Sequence, residues 1–343
     1  MATHEPPRQD RGGSRFSGRL RGRRPEGGPM KHALRSFTIM LLASWSLAPA
    51  AARATDAPQA QPGNSDDLVI LSTVDVHGSF LPCGCHIPKG GLPRRAALID
   101  STREGHRRVL VVDAGAVFSD QPENRAVGSF IMECMGAMKT DAVGVGACDL
   151  SSGLDFLRTT AHEARLPITC ANLIETATGQ PAFEPWRLVH AGDVKVGVFG
   201  LLAQDATRGP AADSLTLTDP APAAREAIGQ LRAHGATVIV LLSQLGNDAT
   251  EQLLADVAGI DVSVSNGYTI RAYGHMTGTT FVAAGGDRGY YVGATKVGLD
   301  RKKHRIGVVS EAIMLGPQLR SQPEMLGKAL AFEKTLPKPA DGK

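Results

Sequence analysis

The 343-residue sequence is 42% apolar and 21% charged, which is enough to bury a large core. Its formal charge of +3 is misleading, because residues 1–54 hold ten Lys and Arg against three Asp and Glu. The rest has 27 against 31, a net of −4, and that balance excludes nucleic acid as an expected partner.

In chain order, residues 1–29 are rich in Arg, Gly and Pro, a disordered or misassigned leader. Residues 30–54 read as a signal peptide. Met30–Arg35 is basic, Phe37–Pro49 is apolar, and Ala52-Arg53-Ala54 fits a cleavage site. The apolar run of 13 residues is short for a bilayer span. Export to the periplasm or the exterior after cleavage near Ala54 is expected, with no stable membrane span in the mature form. Met30 is an alternative start. Residues 55–66 form a linker, 67–316 the folded domain and 317–343 a polar C-terminal tail.

Within that domain Leu68-Val69-Ile70-Leu71 is a buried strand that ends in Asp75-Val76-His77-Gly78. Cys83-Gly84-Cys85-His86 follows, then Gly90-Gly91 opens an amphipathic helix over 92–106. Strands are expected at 109–115, 141–146 and 167–172, with helices over 124–139 and 153–165 between them. Gly192-Asp193 marks a hairpin between 186–190 and 194–202. Helix 220–234, strand 237–242, helix 248–258 and strand 261–264 come next, and 270–315 is all strand-like. Two runs of strand–helix alternation plus antiparallel strands predict an α/β fold. Its form is a four-layer α/β/β/α sandwich of two mixed sheets flanked by helices.

The order of these motifs resembles the calcineurin-like metallophosphoesterases, specifically the exported 5′-nucleotidase and 2′,3′-cyclic phosphodiesterase branch. The family pattern runs D-x-H-G, G-G-x-x-R-R, D-A-G-D-x-F, G-N-H-E-F-D, A-N-L, S-H-L-G and G-I-D-x-x-x-G-G-H-S-H. This chain offers Asp75–Gly78, Gly90–Arg95, Asp113–Phe118, Gly146–Ser151, Ala171–Leu173, Ser243–Gly246 and Gly259–Asp261. The resemblance implies phosphate-ester hydrolysis by two metal ions that clamp an in-line displacement.

It also shows what has changed. Asp75 and His77 remain of the implied ligands. The bridging carboxylate becomes Ala116, the amide ligand Ala147, the adjacent histidine Cys148 and the next histidine Gln244. The closing G-G-H-S-H falls on Ser265-Asn266-Gly267-Tyr268-Thr269, which has neither histidine. A dinuclear site of the family type is therefore not expected. A further domain that holds the nucleotide base in the family is not expected either.

Thiols stand where hard-metal ligands have gone. Cys83, Cys85, Cys148, His77 and Asp75 are the candidate metal ligands, for one divalent or soft ion such as Zn, Mn or Cu. Cys148 and His77 are the candidate catalytic pair, since a cationic imidazole favours a thiolate. A thiol–disulfide couple or a structural disulfide from Cys83 or Cys85 to Cys148 are the other readings. Asp113, Arg94 and Asn172 are candidate substrate-binding residues. The partner classes are a small anionic molecule or a redox protein. Cys134 and Cys170 read as core. An exported phosphoesterase-fold protein with a repurposed cleft, an active one-metal hydrolase and a non-enzymatic binding protein are the three functional readings.

Overall fold

The computed structural model describes residues 67–119, 121, 124–267 and 269–337; the expected leader, signal peptide and linker, and the end of the tail, lie outside them. The chain begins with β1 (Leu68–Thr73), α1 (Leu92–Gly105), β2 (Val109–Asp113), α2 (Arg125–Ala137), β3 (Ala142–Val143) and α3 (Leu154–Glu163). It continues with β4 (Leu173–Glu175), β5 (Arg187–Ala191), β6 (Val194–Leu202), β7 (Leu215–Leu217), α4 (Pro220–Ala233), β8 (Val238–Gln244) and α5 (Asn247–Asp256). The last section is β9 (Val262–Ser265), β10 (Ile270–Arg271), β11 (His275–Thr277), β12 (Thr280–Val282), β13 (Gly285–Gly286), β14 (Tyr291–Leu299), β15 (Arg305–Met314) and α6 (Pro323–Glu333).

One sheet has the order β15-β14-β1-β2-β3 and the other β11-β12-β9-β8-β6-β5. Both are mixed. β1, β2 and β3 run parallel while β14 and β15 are antiparallel additions, and β6, β8, β9 and β12 run parallel between antiparallel β11 and β5. Alternation along single strands builds the layers. In β1, Leu68 and Ile70 face the other sheet, whereas Val69 and Leu71 join the α1–α2 core. In β8, Val238, Val240 and Leu242 face inward, and Ile239 and Leu241 pack with α4 and α5 residues. Continuous apolar runs arise because both faces of each strand are covered. The four-layer sandwich is the observed architecture.

Two expectations need correction. The strand expected over 167–172 is reduced to isolated bridges, Val143 to Ile168 and Thr169 to Glu184. The polar tail is not a tail as far as Glu333. α6 packs on α1, with Met325 and Ala329 buried and the Gln322 N–H donating to Pro93 O at 2.9 Å. Phe332 stacks on Phe130 at 4.1 Å between centroids, and Phe80 meets both rings edge-on. Aromatic contacts of this kind add about 0.5–1.5 kcal/mol each beyond the area they bury. Among the described residues no helix is long and apolar enough to cross a membrane.

Candidate functional site

The parallel strands β1, β2 and β3 deliver three loops to one edge of their sheet. These loops hold one another by backbone bonds. Asp75 N–H donates to Gly115 O at 3.0 Å, His77 N–H to Ala116 O at 2.9 Å and Gly78 N–H to Val117 O at 2.9 Å. The backbone there is bent into the left-handed region at Asp75 (φ 51°), His77 (φ 46°) and Ala116 (φ 60°). Asp and His tolerate that region better than alanine does. Ala116 thus keeps a conformation suited to a short polar residue while lacking its side chain. Gly146 presses directly on it, since a Cβ there would stand 2.5 Å from the Ala116 nitrogen.

One carboxylate fixes this arrangement, and it stands at the acidic position of the family's G-N-H-E segment. Asp149 is 2% exposed, and its oxygens accept the N–H groups of Ala116, Val117, Phe118 and Gly146 at 2.8–2.9 Å. It sits in a short 3₁₀ turn, Ala147–Leu150, and ties the loop after β3 to the loop after β2. Burial pushes its pKa up to about 6, against the opposing pull of the N–H groups. An acidic residue just after the third predicted strand was the available signal.

Asp75 is buried at 9% exposure, and both of its oxygens are engaged. Oδ1 accepts the Gln244 Nε2 amide at 3.0 Å and Oδ2 accepts the Gly267 N–H at 3.4 Å. Burial raises the Asp75 pKa, with Gln244, the His77 charge and Gly267 offsetting part of the rise. His77 is exposed, and Cys148, buried at 7% exposure, places Sγ 3.9 Å from its Nδ1. The structure therefore brings together Asp75, His77, Cys148, Gln244 and Ala116.

It does not bring in the other thiols as expected. Cys83 and Cys85 are joined to each other in a disulfide, so neither pairs with Cys148. Joined sulfurs are not thiolates and do not serve as metal ligands in this state. Among the described residues no three His, Cys, Asp or Glu side chains gather closely enough to hold one ion. The dinuclear centre implied by the fold does not fit these residues. Its bridging position is the Ala116 methyl, and the Asp75 oxygens are hydrogen-bonded to an amide and a backbone N–H.

The three candidate substrate residues have structural partners. Asp113 is fully buried and accepts bonds from the Thr73 hydroxyl, from Gly115 N–H at 2.9 Å and from Arg95 Nη1 at 3.4 Å. Arg94 Nη1 donates to the carbonyls of Pro88, Gly90 and Leu315 at 2.8, 3.4 and 3.0 Å. Asn172 is fully buried, donating to Leu202 O and Thr218 O and accepting Leu202 N–H. In all three the polar groups are committed to the protein's own backbone or core, and Asp113 orients the loop after β2. At the Gly90-Gly91 turn that opens α1, Gly90 N–H donates to Leu315 O and Leu92 N–H to Phe80 O. Cys134 and Cys170 are core residues, and burial pushes both thiols up to about 12.

The fold and the loop geometry at the sheet edge define a phosphoesterase-type α/β sandwich. No protein-family model matches the chain. It is 26% identical over 246 residues to a snake venom 5′-nucleotidase of Crotalus adamanteus, covering 64% of this chain and 40% of that one. It is 27% identical over 237 residues to the trifunctional nucleotide phosphoesterase protein YfkN of Bacillus subtilis, covering 58% and 16%. Among solved structures, a 5′-nucleotidase precursor of Thermus thermophilus superposes with a TM-score of 0.71 at 23% identity, over 78% of this chain and 58% of that one. The calcineurin-like phosphoesterase YfkN of Bacillus subtilis gives 0.66 at 21% identity, over 78% and 96%. The chain is thus similar in sequence and in fold to the metallophosphoesterases, and the relatives and neighbours it matches are mostly of the 5′-nucleotidase kind. It spans less than half the length of those two curated relatives.

Proposed function

We propose that this is an exported protein of 5′-nucleotidase-like fold whose inherited cleft has left two-metal hydrolysis for thiol chemistry. Cys148 would be the reacting group and His77 its base. The supporting observation is the 3.9 Å approach of Cys148 Sγ to His77 Nδ1. It lies at the sheet edge where Ala116 stands in place of the bridging carboxylate of the family pattern. His77 takes the thiol proton and the resulting imidazolium holds the thiolate, whose nucleophilicity is the useful property. Asp149 sets the loop on which Cys148 sits, and Asp75, on the neighbouring loop, is held by Gln244. A small anionic molecule or a redox protein is the proposed partner.

The test is alkylation of Cys148 in the folded chain by iodoacetamide, followed by peptide mapping. His77→Ala should slow it at least tenfold at pH 7, with Cys134 and Cys170 unreactive in both proteins. Equal rates at Cys148 would remove the pair from the mechanism. A second reading, one-metal phosphate-ester hydrolysis, is favoured by the retained Asp75-x-His77 and by the nucleotidase names of the relatives. It requires nucleotide hydrolysis that depends on added manganese or zinc and disappears in Asp75→Ala.

A further inference from the structure

We infer that the Cys83–Cys85 disulfide is a second, separate thiol-exchange site, reduced by a dithiol donor that attacks Cys85 and expels Cys83. The two cysteines are separated by Gly84 alone and lie on the loop between β1 and α1. A ring this small removes little freedom from the unfolded chain, so the bond has little value as a staple. The loop is also braced without it. Cys83 N–H donates to Lys89 O at 2.9 Å, the Arg94 guanidinium grips Pro88 O, and Lys89 Nζ sits 6.0 Å over the Tyr291 ring. Opening the disulfide leaves all of these contacts in place.

The two sulfurs are not equivalent. Gly84 and Cys85 are exposed and a Cβ at Gly84 would touch nothing within 4 Å, so Cys85 is the more open sulfur to an attacking thiolate. Cys83 is half-buried, and its Sγ accepts the Lys89 N–H at 3.4 Å. That donor stabilises negative charge on Cys83 as it develops, and a stabilised leaving thiolate is expelled faster. In the first step the donor's thiolate bonds to Cys85 Sγ, the Cys83–Cys85 bond breaks, and Cys83 leaves as a thiolate that takes a proton from water. In the second, the donor's other thiol attacks its own sulfur in the mixed disulfide and Cys85 leaves. Two electrons and two protons pass to the protein, and the donor becomes a disulfide. The Cys148–His77 pair takes no part.

The test uses the full chain and dithiothreitol, with differential alkylation and peptide mapping that count Cys83, Cys85 and Cys148 separately. Cys83 and Cys85 should reduce together in the native protein, with the circular dichroism spectrum and the thermal midpoint unchanged. Reduction only after unfolding, or a lowered midpoint in the reduced protein, would make the bond a structural staple and overturn the inference. The polarity is read with oxidised glutathione. Cys83→Ser should acquire glutathione at Cys85 at least tenfold faster than Cys85→Ser acquires it at Cys83. Equal or inverted rates would overturn the assigned direction of attack. Failure at Cys148 in the same maps bears on the cleft alone.

Discussion

Gln244 Nε2 lies 3.0 Å from Asp75 Oδ1, and the two side chains come from different sheets. The bond joins the end of β8 to the loop after β1 across the middle of the sandwich. Gln244→Ala would leave a buried carboxylate with only the Gly267 N–H. Loss of one partner from a buried charged acceptor should cost about 1–3 kcal/mol, read by urea denaturation. Gln244→Glu should cost more at pH 7 and recover toward pH 4, because two facing carboxylates then share a proton.

Asp149 should be the most damaging single position in the site. Asp149→Ala strands four backbone N–H groups in a dry interior, and a loss of at least about 3 kcal/mol is expected. Its folded pKa, about 6, lies above the ordinary carboxylate value, so the native state takes up this proton first. Its contribution to stability is therefore largest at low pH and declines as pH rises from about 4 to about 6. Denaturation across that range should show the slope, and Asp149→Asn should flatten it. An unchanged slope in that variant would assign the dependence to other groups.

Ala116→Gly should stabilise the protein. An L-residue in the left-handed region is strained by about 1–2 kcal/mol, which glycine avoids, though glycine also gains freedom in the unfolded chain. A net gain of about 0.5–1 kcal/mol in chemical denaturation is the expected result. Gly146→Ala should move strongly the other way, because its Cβ would overlap the Ala116 backbone.

Neighbouring arginines should behave differently. Arg95 is 3% exposed and pairs with fully buried Asp113. Arg95→Leu leaves that charge without its cation and should cost about 3–5 kcal/mol. Asp113→Asn in the same protein should restore part of the loss, a coupling that a double-mutant cycle measures. Arg94→Leu should mainly loosen the loop over 83–90, seen as faster amide exchange there.

The sequence reveals the sandwich because its central strands are apolar on both faces, a pattern as plain in Val238–Gln244 as in Leu68–Thr73. It was less informative where direction matters. Arg94 and Arg95 are adjacent in a helix, and nothing local says which one turns inward. Met325, Ala329 and Phe332 lie on one face of α6, but Lys328 between them and Glu324 and Glu333 at the ends give the segment a polar look. Asp75, His77 and Cys148 could be placed at one sheet edge from motif order, and they are there. The pairing of Cys83 was not legible, because connectivity among cysteines depends on how the loop closes rather than on their spacing. The role of Asp149 is not legible locally, because it accepts backbone N–H groups from a segment more than thirty residues away.

The register of β1 sets a constraint on biosynthesis. Ser72 faces Gly293 in the β1–β14 pairing, 221 residues further along the chain. β1 thus waits for a strand more than two hundred residues further on before it has its second neighbour, and α6 closes the adjoining core later still. Loop closure over such a span is slow and disfavours early, stable nuclei. Until residue 293 has been made, that edge of β1 has no partner, and an unpaired strand edge is open to aggregation.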